Sequence, residues 1–75
     1  MSHDKLLLGL SEDRRLFVWE VYSEMENNAL ANTSDIESTK AYFLQLVKGN
    51  EELSEIEKRY CRERFIYGLE LQNAV

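Results

Sequence analysis

The chain has no proline, one cysteine, one histidine and three glycines, and each shortage excludes a class of answer. Without proline, nothing forces a kink or a stop inside a helix. The lone Cys61 has no partner for an intrachain disulfide, so no staple helps a chain of 75 residues to fold. His3 and Cys61 are the only soft metal ligands and lie far apart in sequence, so no metal is expected. Glycine-rich phosphate loops, EF-hand spacing and zinc spacing are missing, so no cofactor is expected either. No apolar run approaches 18 residues, which excludes a membrane-spanning helix. The first ten residues have too short an apolar core and no basic flank for a secretory signal. With an unpaired cysteine, that predicts a cytoplasmic protein.

Positive charge is also scarce. Nine basic residues stand against fourteen acidic ones, for a net charge of −5 and a pI near 4.8. A nucleic-acid binder needs a basic face to displace counterions from phosphates, and docking on anionic lipid needs the same. The balance suits solubility, or a partner with a basic surface. Catalytic groups are short too. Cys61 has only His3 as a conceivable base, and it falls on an apolar stripe where a free cysteine behaves as a small buried hydrophobe. The acids Glu24 and Glu26, and Glu51, Glu52 and Glu55, read as solvated faces. No enzyme is expected.

What the chain does have is helical periodicity. Hydrophobic residues make up 44% of it, enough to form a core. The stretch from Leu16 to Met25 holds the only Trp, one Phe and one Tyr, so the fold is expected to be organised around it. Residues 1–10 read as an apolar arm, with Ser2 or Asp4 able to cap a short turn and Leu6, Leu7, Leu8 and Leu10 around Gly9. Its bland role is a lid over the core; the alternative is an exposed contact patch. A first helix is expected over 11–31, capped by Ser11 and carrying the stripe Val18, Val21, Tyr22, Met25 and Ala29. A second is expected over 35–48, started by a capping box from Ser34 to Glu37, lined by Ile36, Lys40, Phe43 and Val47, and closed by Gly49. A third is expected over 51–73. Its main stripe is Leu53, Ile56, Tyr60, Tyr67 and Leu71 with Arg64 in the gap, and Cys61, Phe65 and Leu69 form a second stripe. Leu10-Ser11-Glu12 and Leu53-Ser54-Glu55 match at an offset of 43 residues, which two helix starts of like capping chemistry explain without a duplication.

The segment Lys40-Ala41-Tyr42-Phe43-Leu44-Gln45-Leu46-Val47 resembles the first helix of the colicin-nuclease immunity proteins, small acidic inhibitors of basic toxins. The chain departs from that family in lacking its Tyr-Tyr-Pro segment and in placing the similar helix mid-chain, so membership does not follow.

The expected fold is therefore all-α, a compact antiparallel bundle of three principal helices plus a short N-terminal helical turn. The expected function is a non-enzymatic protein-interaction module (regulator, inhibitor or adaptor) with Leu7, Leu8, Tyr60, Tyr67 and Leu71 as contacts. Apolar groups on several sides of the first and last helices also raise self-association as a homodimer. The alternative is a nucleic-acid-binding regulator using Lys58, Arg59, Arg62 and Arg64 on the last helix. What separates the two is whether those four cations form an open positive face or are held within the fold.

Overall fold

The computed structural model describes residues 2–73, with side-chain environments for residues 5–71. It is all-helical: a short 3-10 turn at Ser2–Leu7, then α1 (Glu12–Asn32), α2 (Ile36–Gly49) and α3 (Glu55–Asn73). No strand occurs among the described residues. The helices pack on each other in a flattened body of 35 × 27 × 16 Å, with α2 against both α1 and α3 and the N-terminal turn laid on α3. The capping groups Ser2 and Asp4 and the imidazole of His3 lie outside the described side chains.

Each helix start follows from a short polar side chain. Ser11 Oγ accepts the amide of Arg14 at 3.2 Å and begins α1, with Glu12 and Asp13 at the positive end of its dipole. The other two starts share one pattern, Ser34-Asp35-Ile36-Glu37 and Ser54-Glu55-Ile56-Glu57, yet resolve differently. In the first, Asp35 rather than Ser34 is the cap, so the expected Ser34–Glu37 box does not form. Its Oδ1 accepts the Ser38 amide at 2.8 Å and its Oδ2 the Ser38 hydroxyl at 2.9 Å, which hold the Asp35 carboxyl below its ordinary range. In the second, Glu55 is too long to cap its own helix, and Ser54 does so instead. Ser54 Oγ accepts the Glu57 amide at 3.3 Å, and the Glu57 carboxylate accepts the Ser54 amide at 2.8 Å, a reciprocal capping box.

The third helix accordingly begins at Glu55, not at residue 51. Asn50 Oδ1 takes the amides of Glu52 and Leu53 at 2.8 and 3.2 Å, which turns the chain and sends Leu53 into the core. Gly49 belongs to the last turn of α2 and no glycine has positive φ, so the left-handed closure expected there is replaced by Asn50, whose amide donates to the Val47 carbonyl.

The core is centred on Phe43, which has no exposed surface. Its ring stacks on Phe65 at 4.0 Å between centroids and meets Tyr22 edge-on at 5.5 Å. Val18, Met25, Ala29, Val47, Leu53 and Cys61 surround them. The expected α1 stripe is buried at Val18, Tyr22, Met25 and Ala29. On α2 the inner face is Thr39, Phe43 and Val47, while Ile36 faces solvent. On α3 the helix is rotated so that Glu57, Tyr60, Cys61 and Phe65 point inward, and Ile56 and Leu71 of the expected main stripe point out.

The expectation that residues 16–25 would organise the fold is corrected on its largest member. Trp19 is 43% exposed and Leu16 48%. Tyr22 and Val18 already fill the inner face of α1, and Trp19 lies on the other side of the same helix.

Cys61 is buried without exposed surface, and desolvation pushes its thiol up to about 12. Burial of the neutral thiol stabilises the fold fully below about pH 8.5, the value of an unfolded cysteine. That contribution is lost as pH rises towards the folded-state value. The Tyr22 hydroxyl, also raised by burial, acts with the same sign. Labelling of the native protein by a thiol-specific disulfide reagent at pH 8 should run at least about 100-fold slower than in denaturant, at a rate that tracks unfolding. Rapid labelling of the folded state would contradict this burial.

Candidate docking face

The expected contact residues separate by burial. Leu7 and Tyr60 belong to the core cluster and are removed from any contact set. The N-terminal turn lies on α3 and carries Leu7 inward, with Leu6 and Leu10 packed partly behind it. This makes the arm a lid rather than a free patch, apart from Leu8, which is 73% exposed. Tyr60 is drawn in because the inner face of α3 runs along Glu57, Tyr60, Cys61 and Phe65. Tyr67 is half-buried, and Leu71 remains 54% exposed near the end of α3.

The four cations of α3 do not make one face. The Arg64 guanidinium is directed inward, 4.3 Å from the Tyr22 ring centre, and donates to the Tyr60 hydroxyl at 3.0 Å. Arg59 pairs with Glu63 one turn on, at 3.7 Å. Lys58 donates to the carbonyl of Lys48 at 3.2 Å, tying the start of α3 to the end of α2. Arg62 is half-buried.

One long-range ion pair locks the ends of α1 and α3. Arg14 Nε and Nη2 donate to the two oxygens of Glu57 at 2.6 and 2.8 Å, and Nη2 also reaches the Glu52 carbonyl at 2.6 Å. Glu57 is almost wholly buried, and the guanidinium with the Ser54 amide holds its carboxyl below the usual range. Both Glu57 oxygens are taken up by Arg14 and the Ser54 amide, which ties the start of α3 to the start of α1. Among the described residues, no group of three His, Cys, Asp or Glu side chains is gathered in metal-binding geometry, and no helix is long and apolar enough to cross a membrane.

A cluster of large apolar side chains left in solvent lies on α1. Leu16, Trp19, Glu20, Ser23 and Glu24 line an open groove of about 570 Å³. Further along the same side is Leu30, 58% exposed. α1 thus carries large apolar side chains on two sides, one against α2 and one against water, rather than on a single stripe. Sequence pattern reveals Leu16, Trp19 and Leu30 as large hydrophobes at helical spacing; it does not say which stripe a neighbour covers. Among the described residues, neither Glu20 nor Glu24 has a cationic partner. Glu26 accepts from the Tyr22 hydroxyl at 3.0 Å. A second open groove, along α2, is lined by Thr33, Ser38, Ala41, Tyr42, Gln45 and Leu46 and carries no charge.

A half-exposed Trp beside an exposed Leu, rimmed by carboxylates, can anchor a partner's apolar side chain and attract a cation beside it. Comparison of the chain with family models, curated proteins and solved structures finds no match.

Proposed function

We propose that the protein is a non-enzymatic protein-interaction module, a small regulator, inhibitor or adaptor, and that its docking face is the solvent side of α1. The observation that carries this reading is Trp19, the only Trp in the chain, left 43% exposed next to Leu16, with Glu20 and Glu24 lining the same groove. Trp is the residue most enriched at binding hot spots, and a small domain has few reasons to keep its largest hydrophobe at the surface. Acidic flanks favour a partner with a basic surface, in line with the net charge of −5. The dispersal of Lys58, Arg59 and Arg64 among internal contacts weighs against a nucleic-acid-binding role.

The test is affinity capture from source lysate, with and without nuclease, using the wild-type chain and a Leu16→Ala, Trp19→Ala variant of unchanged helicity by circular dichroism. A stoichiometric protein partner that survives nuclease and is lost with the variant supports the proposal. A partner retained by the variant moves the docking face elsewhere. Captured nucleic acid that falls away steeply with salt overturns the reading in favour of the α3 cations.

A further inference from the structure

The outer face of α1 has a regular spacing that narrows its occupant. Leu16, Trp19, Ser23, Glu26 and Leu30 follow steps of three, four, three and four residues and so share one seam of α1, apolar at Leu16, Trp19 and Leu30 and polar at Ser23 and Glu26. The seam runs roughly 21 Å along α1 at 1.5 Å per residue. All five positions are exposed except Glu26, which is half-buried. Ser23 at the centre is small enough for a facing helix to approach closely, with large apolar knobs on either side. The seam is acidic along one edge: Glu20 and Glu24 stand i,i+4, a like-charge arrangement that is mutually unfavourable until a cation sits between them. Glu26 adds a third carboxylate within the seam.

We infer that the occupant of this face is a single cationic amphipathic helix of a partner protein, laid along α1. Its apolar stripe packs on Leu16, Trp19 and Leu30, and its lysines or arginines lie against Glu20, Glu24 and Glu26. The inference rests on the docking-face reading and adds to it the partner's secondary structure and charge. A second copy of this chain is the less favoured occupant, because pairing α1 with α1 would bring two sets of these carboxylates together.

The test uses the full chain with two synthetic capped peptides, each carrying leucine at seam positions over three heptads, one with lysine and the other with glutamate elsewhere. Trp19 is the sole indole in the mixture and reports contact through its emission. The lysine peptide should shift that emission to the blue and bind at least about tenfold more weakly to a Glu20→Gln, Glu24→Gln variant, whereas the glutamate peptide should give no shift. Equal binding of the lysine peptide to wild type and to the variant overturns the inference. A shift with the glutamate peptide overturns the charge assignment but leaves the docking face standing. A shift of the protein alone with rising concentration, abolished by Leu16→Ala, assigns the face to a second copy and overturns the cationic occupant. Silence of Trp19 towards both peptides and towards dilution overturns the inference as well. The docking face itself fails if the Leu16→Ala, Trp19→Ala variant still captures the natural partner, or if the captured partner is nucleic acid.

Discussion

Phe43→Ala should cost the fold about 3–5 kcal/mol, the usual range for deleting a buried ring and leaving a cavity. Phe43 has no exposed surface, stacks on Phe65 at 4.0 Å and takes the edge of Tyr22 at 5.5 Å, so its loss removes contacts with α1 and α3 at once. A domain of 75 residues has a total stability of about 4–11 kcal/mol at the usual 0.05–0.15 per residue. The variant should therefore be marginal or unfolded at 25 °C. In urea, with a slope of about 1 kcal/mol/M for a chain this small, the midpoint should fall by about 3 M or more. Trp19→Ala, which deletes a larger side chain, should lose well under half as much, because nearly half of Trp19 is already in water. Equal losses from the two variants would place the centre of the core on the wrong helix.

That contrast also marks what was legible in the sequence. Helical periodicity and short polar caps suffice for the fold class, since Val18, Tyr22, Met25 and Ala29 can share a face only on a helix. Composition points to Trp19 as the largest surface available for burial, but which of two apolar stripes on α1 meets a neighbour depends on α2 and α3. That decision belongs to packing, and it leaves Leu16 and Trp19 exposed in the stretch expected to be the core. The same dependence moves Leu7 and Tyr60 inward. Local chemistry is ambiguous in a different way. Ser34-Asp35-Ile36-Glu37 and Ser54-Glu55-Ile56-Glu57 look equivalent, and one methylene in the second residue decides which position caps. Asp35 reaches its own Ser38 amide, whereas Glu55 leaves Ser54 to cap and Glu57 to reach back. Ile36 and Ile56 are exposed in both, so apolar character alone is a weak guide at these starts. The Arg14–Glu57 pair, 43 residues apart, has no local signature at all.

Glu57→Gln should destabilise the protein by about 2 kcal/mol and flatten the acid side of its stability profile. The carboxylate accepts two hydrogen bonds from Arg14 and one from the Ser54 amide while almost wholly buried, so the ionised form is favoured in the fold and its folded-state pKa is lowered. A depressed carboxyl contributes stability that is complete above the unfolded value of about 4.3 and is lost as pH falls through the lower, folded value. Asp35, lowered by its Ser38 contacts, contributes with the same sign from the surface. The wild type should hold a plateau from about pH 6 to 8 and lose stability below pH 4.5, and the glutamine variant should start lower and fall less. Arg14→Gln should act in the same direction by leaving the buried carboxylate without its cation, which raises its folded-state pKa and so diminishes the acid-side loss that Glu57 contributes. The double variant should lose less than the sum of the two, because either change breaks the same clamp between the starts of α1 and α3. Additive losses measured by urea denaturation at pH 7 would mean that the two side chains act independently and that the ends of the helices are held by packing alone. The sub-additive result would instead assign the closure of the N-terminal end of the bundle to this pair. In that arrangement the buried charge has its role in the scaffold, in contrast to Glu20 and Glu24, which have no cationic partner among the described residues.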